Sequence, residues 1–303
     1  MNALSFIPLL LALILSPLLF GVINRTKALF AGRRGQPLLQ TYFDLWKLLQ
    51  KGAVYSRTTT WIFRAGPIIG LAATLTAAAL MPLGNFPSLI AFPADFLLFV
   101  GLLGLVRFFT VVAALDTGSS FEGMGASREV FFSALTEPAL FIALATLARQ
   151  TGQLSLSTIF AASSDAHWPH FEPVLALTAI ALMVVLLAEN ARIPVDDPNT
   201  HLELTMIHEV MVLDHSGPDF AFIIYTSALK LWMLGALVLG VMIPSSGGNP
   251  WLNLAMALGG MFGLAVIIGV VESVMARLRL LIVPQLLVGA GAVATVALIL
   301  TLR

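Results

Sequence analysis

The chain has 303 residues, 58% of them hydrophobic and only 11% charged, with sixteen basic residues balancing sixteen acidic ones. A soluble domain of this size carries about a quarter charged residues, so this much apolar surface has to be covered by lipid. The zero net charge gives no footprint for nucleic acid, and the absence of cysteine excludes thiolate-held iron–sulfur clusters, disulfides and thiolate zinc sites in this chain.

Apolar stretches fall near 3–23, 61–83, 91–115, 130–148, 172–189, 220–243, 251–272 and 281–301. Most approach the roughly 20 residues a helix needs to cross the hydrocarbon core, and they are too long for barrel strands. The expected fold is all-α: one polytopic transmembrane domain over 1–303 with about eight spanning helices. The first run, Leu4 to Ile23, lacks a basic flank and reads as a spanning helix rather than a removable leader.

Basic residues set the expected orientation. Arg25, Lys27, Arg33, Arg34, Lys47, Lys51 and Arg57 lie in the first loop, and Arg128, Arg192, Arg277 and Arg279 in other loops on that side. Only Arg149 and Arg303 lie on the other side. The excess places the loops at about 24–60, 116–129, 190–219 and 273–280 in the cytoplasm, and both termini outside.

In the first loop, Arg33-Arg34-Gly35 precedes a segment with Leu38, Tyr42, Leu45, Trp46 and Leu49 at helical spacing. This is an amphipathic interfacial helix, and the paired guanidinium groups suit a docked acidic surface. The next loop, Asp116 to Glu129, contains three glycines. Glu137 follows inside the fourth span, where a carboxylate needs a partner; Arg107 in the third span is the candidate. A structural ion pair and a proton relay both fit that arrangement. The 149–171 loop, with Asp165, His167 and His170 around Trp168, reads as an interfacial cap.

The richest segment runs from Glu189 through Arg192, Pro194, Asp196, Pro198 and Glu203 to His208, Asp214 and His215. Its prolines interrupt any continuous helix, and residues 200–214 are expected to be helical after them. His201, His208 and His215 would then share a stripe, but seven-residue spacing is too wide for one metal, and no metal site is expected. The segment reads either as a cytoplasmic amphipathic helix or as a carboxylate-lined funnel that passes protons into the membrane. Lys230, within the sixth span, requires a carboxylate or water. Glu272, at the end of the seventh, is expected to be an interfacial anchor.

These residues bring the chain to a known family. It resembles the membrane subunit shared by respiratory complex I (subunit 1) and the membrane-bound NiFe hydrogenases and formate hydrogenlyases. That family's pattern is an acid, two residues, Arg, any, Pro, any, Asp, any, Pro, then Glu-Leu, and Glu189, Arg192, Pro194, Asp196, Pro198 and Glu203-Leu204 fill it in register. Asp214-His215-Ser216-Gly217 is similar to its acid-Tyr-Ser-Gly, with His for Tyr. Only Gln36, Pro37 and Leu38 separate Arg-Arg-Gly from Leu39-Gln40. That shortening is similar to the hydrogenase branch, as are Leu115 to Ser119 and Gly125 to Glu129, and it argues against a sealed quinone chamber.

The resemblance implies a membrane-anchor and proton-path subunit, not catalytic alone, of an energy-converting hydrogenase or formate hydrogenlyase-type complex in the inner membrane. It would hold no cofactor, with NiFe and iron–sulfur centres in hydrogenase-like large and small subunits and a ferredoxin-like subunit. Antiporter-like membrane subunits would complete the path. The candidate proton path is Glu137, Glu189, Asp196 and Glu203, with Lys230 and Arg107 as counter-charges. The candidate docking surface is Arg33, Arg34, Arg128, Glu129 and Arg192. The alternatives are the quinone-site subunit of a complex I-like enzyme, a stand-alone transporter and an inert scaffold.

Overall fold

The computed structural model describes residues 3–162, 168–196, 207–243 and 249–302, without the side chains of 168–172. Its helices are α1 (Phe6–Phe30), α2 (Gln40–Leu49), α3 (Trp61–Ala79), α4 (Asp95–Asp116), α5 (Ser120–Thr151), α6 (Leu156–Ala162), α7 (Trp168–Glu189), α8 (Gly217–Met242), α9 (Pro250–Val274) and α10 (Val283–Leu300). Each of the eight expected apolar stretches is helical. Seven helices (α1, α3, α4, α5, α8, α9 and α10) are long and apolar enough to cross a membrane, and α7 is apolar over Pro173–Glu189.

Helix α8 is the centre of the bundle. Leu231 to Leu239 are all buried, so this stretch is apolar around its whole circumference, as a helix enclosed by other helices must be. It packs on α1, α3, α7 and α9, while α10 closes against α5 and α7. Large side chains elsewhere, among them Leu10, Ile14, Phe108, Phe131 and Ile267, stay exposed on the outside of the bundle, where lipid replaces water as their solvent.

Hydrogen bonds show which connections share an end. The Thr60 amide and hydroxyl donate to Asp116, the Asp214 amide to Glu122, the Val54 amide to Ser216 Oγ, and the Leu278 amide to Pro194 O. The segments joining α1–α3, α4–α5, α7–α8 and α9–α10 therefore gather at one end. At the other end Asp95, fully buried, accepts from the Leu156 amide at 2.7 Å and Ser155 Oγ at 2.6 Å, tying the 152–156 turn to the start of α4.

Three expectations change. The 116–129 stretch is not a loop: helix begins at Ser120, so α5 has 32 residues and is about 48 Å long, well beyond the hydrocarbon thickness. Of the three glycines in that stretch, Gly125 is used for packing, because a Cβ there would lie 2.3 Å from Val210. Of the helix expected over 200–214, the described part is a short 3-10 turn, Glu209–Val212. The expected cap at 149–171 includes a helix, α6, with Leu156 and Ile159 buried. His201, Glu203, Asp165 and His167 lie outside the described residues.

Helix α2 follows expectation: none of its residues is buried, Phe43, Trp46 and Leu49 are exposed, and Tyr42 Oη donates to Ile14 O of α1. Helices α1 and α9 meet at Gly269, where a Cβ would stand 2.7 Å from Thr26 Cβ and 3.1 Å from Ile23 O. Gly269→Val should therefore lower stability by about 1–3 kcal/mol. Gly291→Ala, with open space at the same atom, should be neutral or slightly stabilising. Thermal unfolding of the purified protein in detergent separates the two.

Candidate functional site

Arg107 lies in the middle of α4 and is buried, and its guanidinium meets three carboxylates. Nη1 contacts Glu137 of α5, Nη2 contacts Glu189 at the end of α7, and Nε lies 3.3 Å from Glu129 of α5. Lys230 of α8 reaches the other oxygen of Glu189 at 2.9 Å. Four helices thus contribute to one charged cluster. Its three carboxylates face two cations, so one acid lacks a full counter-charge.

Arg107, Glu129, Glu189 and Lys230 of the cluster form one wall of a partly open cavity. Gly66, Pro67 and Gly70 of α3 form another side, and His208, Met211 and His215 form a third. A smaller cavity beyond the α7 end shares Glu129 and Glu189 with the first and adds Ser133, Thr136 and Asp196. The two acids therefore stand between two spaces.

Asp196 is buried beside that second space. One oxygen meets Arg277 at 3.0 Å, and the other accepts the Ile207 amide at 3.1 Å and the His208 amide at 3.3 Å. Burial pushes the His208 imidazole below its ordinary pKa, against the pull of the Glu129 carboxylate. His215 is buried with its ring stacked on Phe63, centroids 3.9 Å apart and planes within 6°. Burial alone lowers its pKa to about 4.

Of the residues expected to form a proton path, Arg107, Glu137, Glu189 and Lys230 thus come together, and Asp196 lies beside the second cavity. Two docking residues do not sit where expected. Glu129 turns inward to Arg107, and Arg192 is buried, bonded to Glu272 at 3.1 Å with its guanidinium 4.9 Å from the Phe20 ring. Both side chains are engaged by intramolecular partners, Arg192 buried and Glu129 only partly accessible. Arg33 and Arg34 are exposed, and Arg128 is exposed less fully. Glu272 is also not an interfacial anchor: its side chain is inaccessible and bridges Lys27 at 2.8 Å and Arg192. The spacing carries a signal for Glu129. Eight residues at about 100° each bring Glu129 and Glu137 within about 80° of one another on a continuous helix.

Two outcomes follow from this geometry. Glu189 is nearly inaccessible between two cations, whereas the Glu137 side chain is 42% exposed and leaves Arg107 two other acids. Glu189→Gln should destabilise the protein by about 3–5 kcal/mol, and Glu137→Gln by clearly less, in thermal unfolding. Because the folded state disfavours protonated His215, its contribution is complete above the ordinary pKa of 6.5 and is lost as pH falls towards about 4. His215→Phe should flatten the unfolding temperature across that interval relative to the parent.

Comparison with known proteins agrees with this architecture. Formate hydrogenlyase subunit 4 of Escherichia coli (strain K12) is 32% identical over 291 residues, covering 92% of each chain. Hydrogenase-4 component C of the same organism is 31% identical over 232 residues, 77% of this chain and 72% of that one. A subunit of the NADH-quinone oxidoreductase of Neisseria meningitidis serogroup C is 26% identical over 65% of this chain and 55% of its own length. In fold, the chain resembles one from the solved membrane-bound sulfane sulfur reductase, an archaeal respiratory membrane complex, with a TM-score of 0.83 over 98% of both chains at 23% identity. The sequence pattern of the NADH dehydrogenase family matches residues 3–302, and the chain belongs to that family.

Proposed function

We propose that this chain is the membrane-anchor and ion-path subunit of an energy-converting, hydrogenase-type complex. The single observation that carries the reading is the cluster in which Arg107 is shared by Glu129, Glu137 and Glu189 beside a cavity. An inert scaffold has no use for so costly an arrangement within its spans. The two relatives above 30% identity, one from a formate hydrogenlyase and one a hydrogenase-4 component, favour the hydrogenase branch.

In this reading the end bearing Arg33, Arg34 and Arg128 faces the cytoplasm and receives a peripheral arm. The NiFe and iron–sulfur centres sit in hydrogenase-like large and small subunits and a ferredoxin-like subunit, and this chain holds no cofactor. Charge changes in the arm reach the cluster through the cavity and move a proton among its acids. Glu137 is the side on which the path leaves. It lies among exposed Ala134, Pro138 and Phe141 of α5, and a carboxylate left facing hydrocarbon costs about 2.5–3.5 kcal/mol. An antiporter-like membrane subunit covering that face removes the cost and continues the path. A second reading, a quinone-linked complex, draws on the mixed polar and apolar lining of the cavity.

The test uses the whole complex. Arg34→Glu should release the soluble arm while this chain remains in the membrane. Glu137→Gln should assemble normally on a native gel yet lose ion uptake in proteoliposomes. Normal uptake by that variant removes Glu137 from the path, and inhibition by a quinone-site compound turns the reading to the quinone branch.

A further inference from the structure

The turn from Glu189 to Asp196 places two of the acids discussed above, and it is not a relaxed one. Ala191 has φ +48, in the left-handed region, at a cost of about 1–2 kcal/mol for a residue with a Cβ. Such a conformation persists only where surrounding contacts hold it. Three of the contacts that hold the turn come from one corner, the junction of α9 with α10. Glu272 binds Arg192 at 3.1 Å, the Leu278 amide donates to Pro194 O at 3.0 Å, and Arg277 meets Asp196 at 3.0 Å.

Of these, the Glu272 contact ties the turn to the most of the fold. Glu272 is inaccessible, and its other oxygen is taken by Lys27 of α1 at 2.8 Å. The carboxylate therefore joins three segments: α1, α9 and the turn. Arg192 is pressed in turn against Phe20, which also lines the large cavity. Removing the negative charge leaves Lys27 and Arg192 without the carboxylate that joins them.

We propose that Glu272 is a positioning residue: held between Lys27 and Arg192 as a charged group, it fixes the 190–196 turn and so sets where Glu189 and Asp196 stand. It acts on the path only through these residues and lines neither cavity. The proposal rests on the reading of Glu189 and Asp196 as path residues for its functional meaning, but its geometry can be tested apart from transport.

The natural chain has no cysteine, so Val195→Cys introduces a single thiol, at a position that is 3% exposed. Labelling by a maleimide in inside-out vesicles carrying the whole complex, read on this chain's gel band, reports how firmly the turn is held. With Glu272 in place the thiol should react slowly. Glu272→Gln should accelerate labelling about tenfold or more, because loss of one buried ionic partner favours local opening. Glu272→Asp keeps the charge and should restore most of the protection. Unchanged labelling in Glu272→Gln overturns the proposal, and so does a Glu272→Asp that labels as fast as Gln. If Glu272→Gln does not assemble, Arg192→Lys takes its place. It keeps the charge but loses the fork, and it too must accelerate labelling or the proposal fails. Faster labelling with normal ion uptake would uphold the positioning role while removing Glu189 and Asp196 from the path.

Discussion

A guanidinium in the middle of a membrane helix has to be surrounded by anions, and in this protein that requirement organises the bundle. Arg107 draws Glu129 and Glu137 of α5 and Glu189 of α7 towards α4, and Glu189 then brings in Lys230 of α8. Each of those side chains is costly alone and acceptable only with the others in place. The cluster thus fixes the rotation of four helices about their axes, which apolar packing among Leu, Ala and Val specifies weakly. Gly66 lets α3 close in on Ala113 of α4 beside it, and the space left over is the cavity.

Acids in the bundle are held in two ways. At the Asp95 end a single buried carboxylate is neutralised by hydrogen bonds from an amide and a hydroxyl, a local arrangement that seals a turn. Two clusters, about Arg107 and Glu272, instead pair acids with cations drawn from distant parts of the chain. The first cluster borders cavities and includes the half-exposed Glu137. The second has its carboxylate sealed from solvent. That difference in access, more than charge count, distinguishes the two clusters.

Much of this is legible in the sequence. Apolar length marks the spans, because lipid forces helices on any open chain that crosses it. The need of Arg107 and Lys230 for acids is plain from their depth, and Glu137 and Glu189 are the acids within reach. What stays hidden are pairings between residues far apart in the chain. Lys27, Arg192 and Glu272 share no periodicity, so Glu272 reads as an anchor near Arg277, and Arg192 as a surface arginine. Hydropathy leaves Glu129 in a loop because it locates only the part of α5 inside the bilayer, and the helix extends beyond it.

The seat of Val210 on Gly125 has a mechanical meaning. With no side chain at Gly125, the Glu209–Val212 turn rests directly on the α5 backbone, and neither can slide without driving heavy atoms into one another. The turn carries His208 beside it, and α5 carries Glu129 one helical turn further on, both facing the large cavity. A push on the outer segment therefore reaches the cavity through two of its walls at once, with His208 and Glu129 carried together.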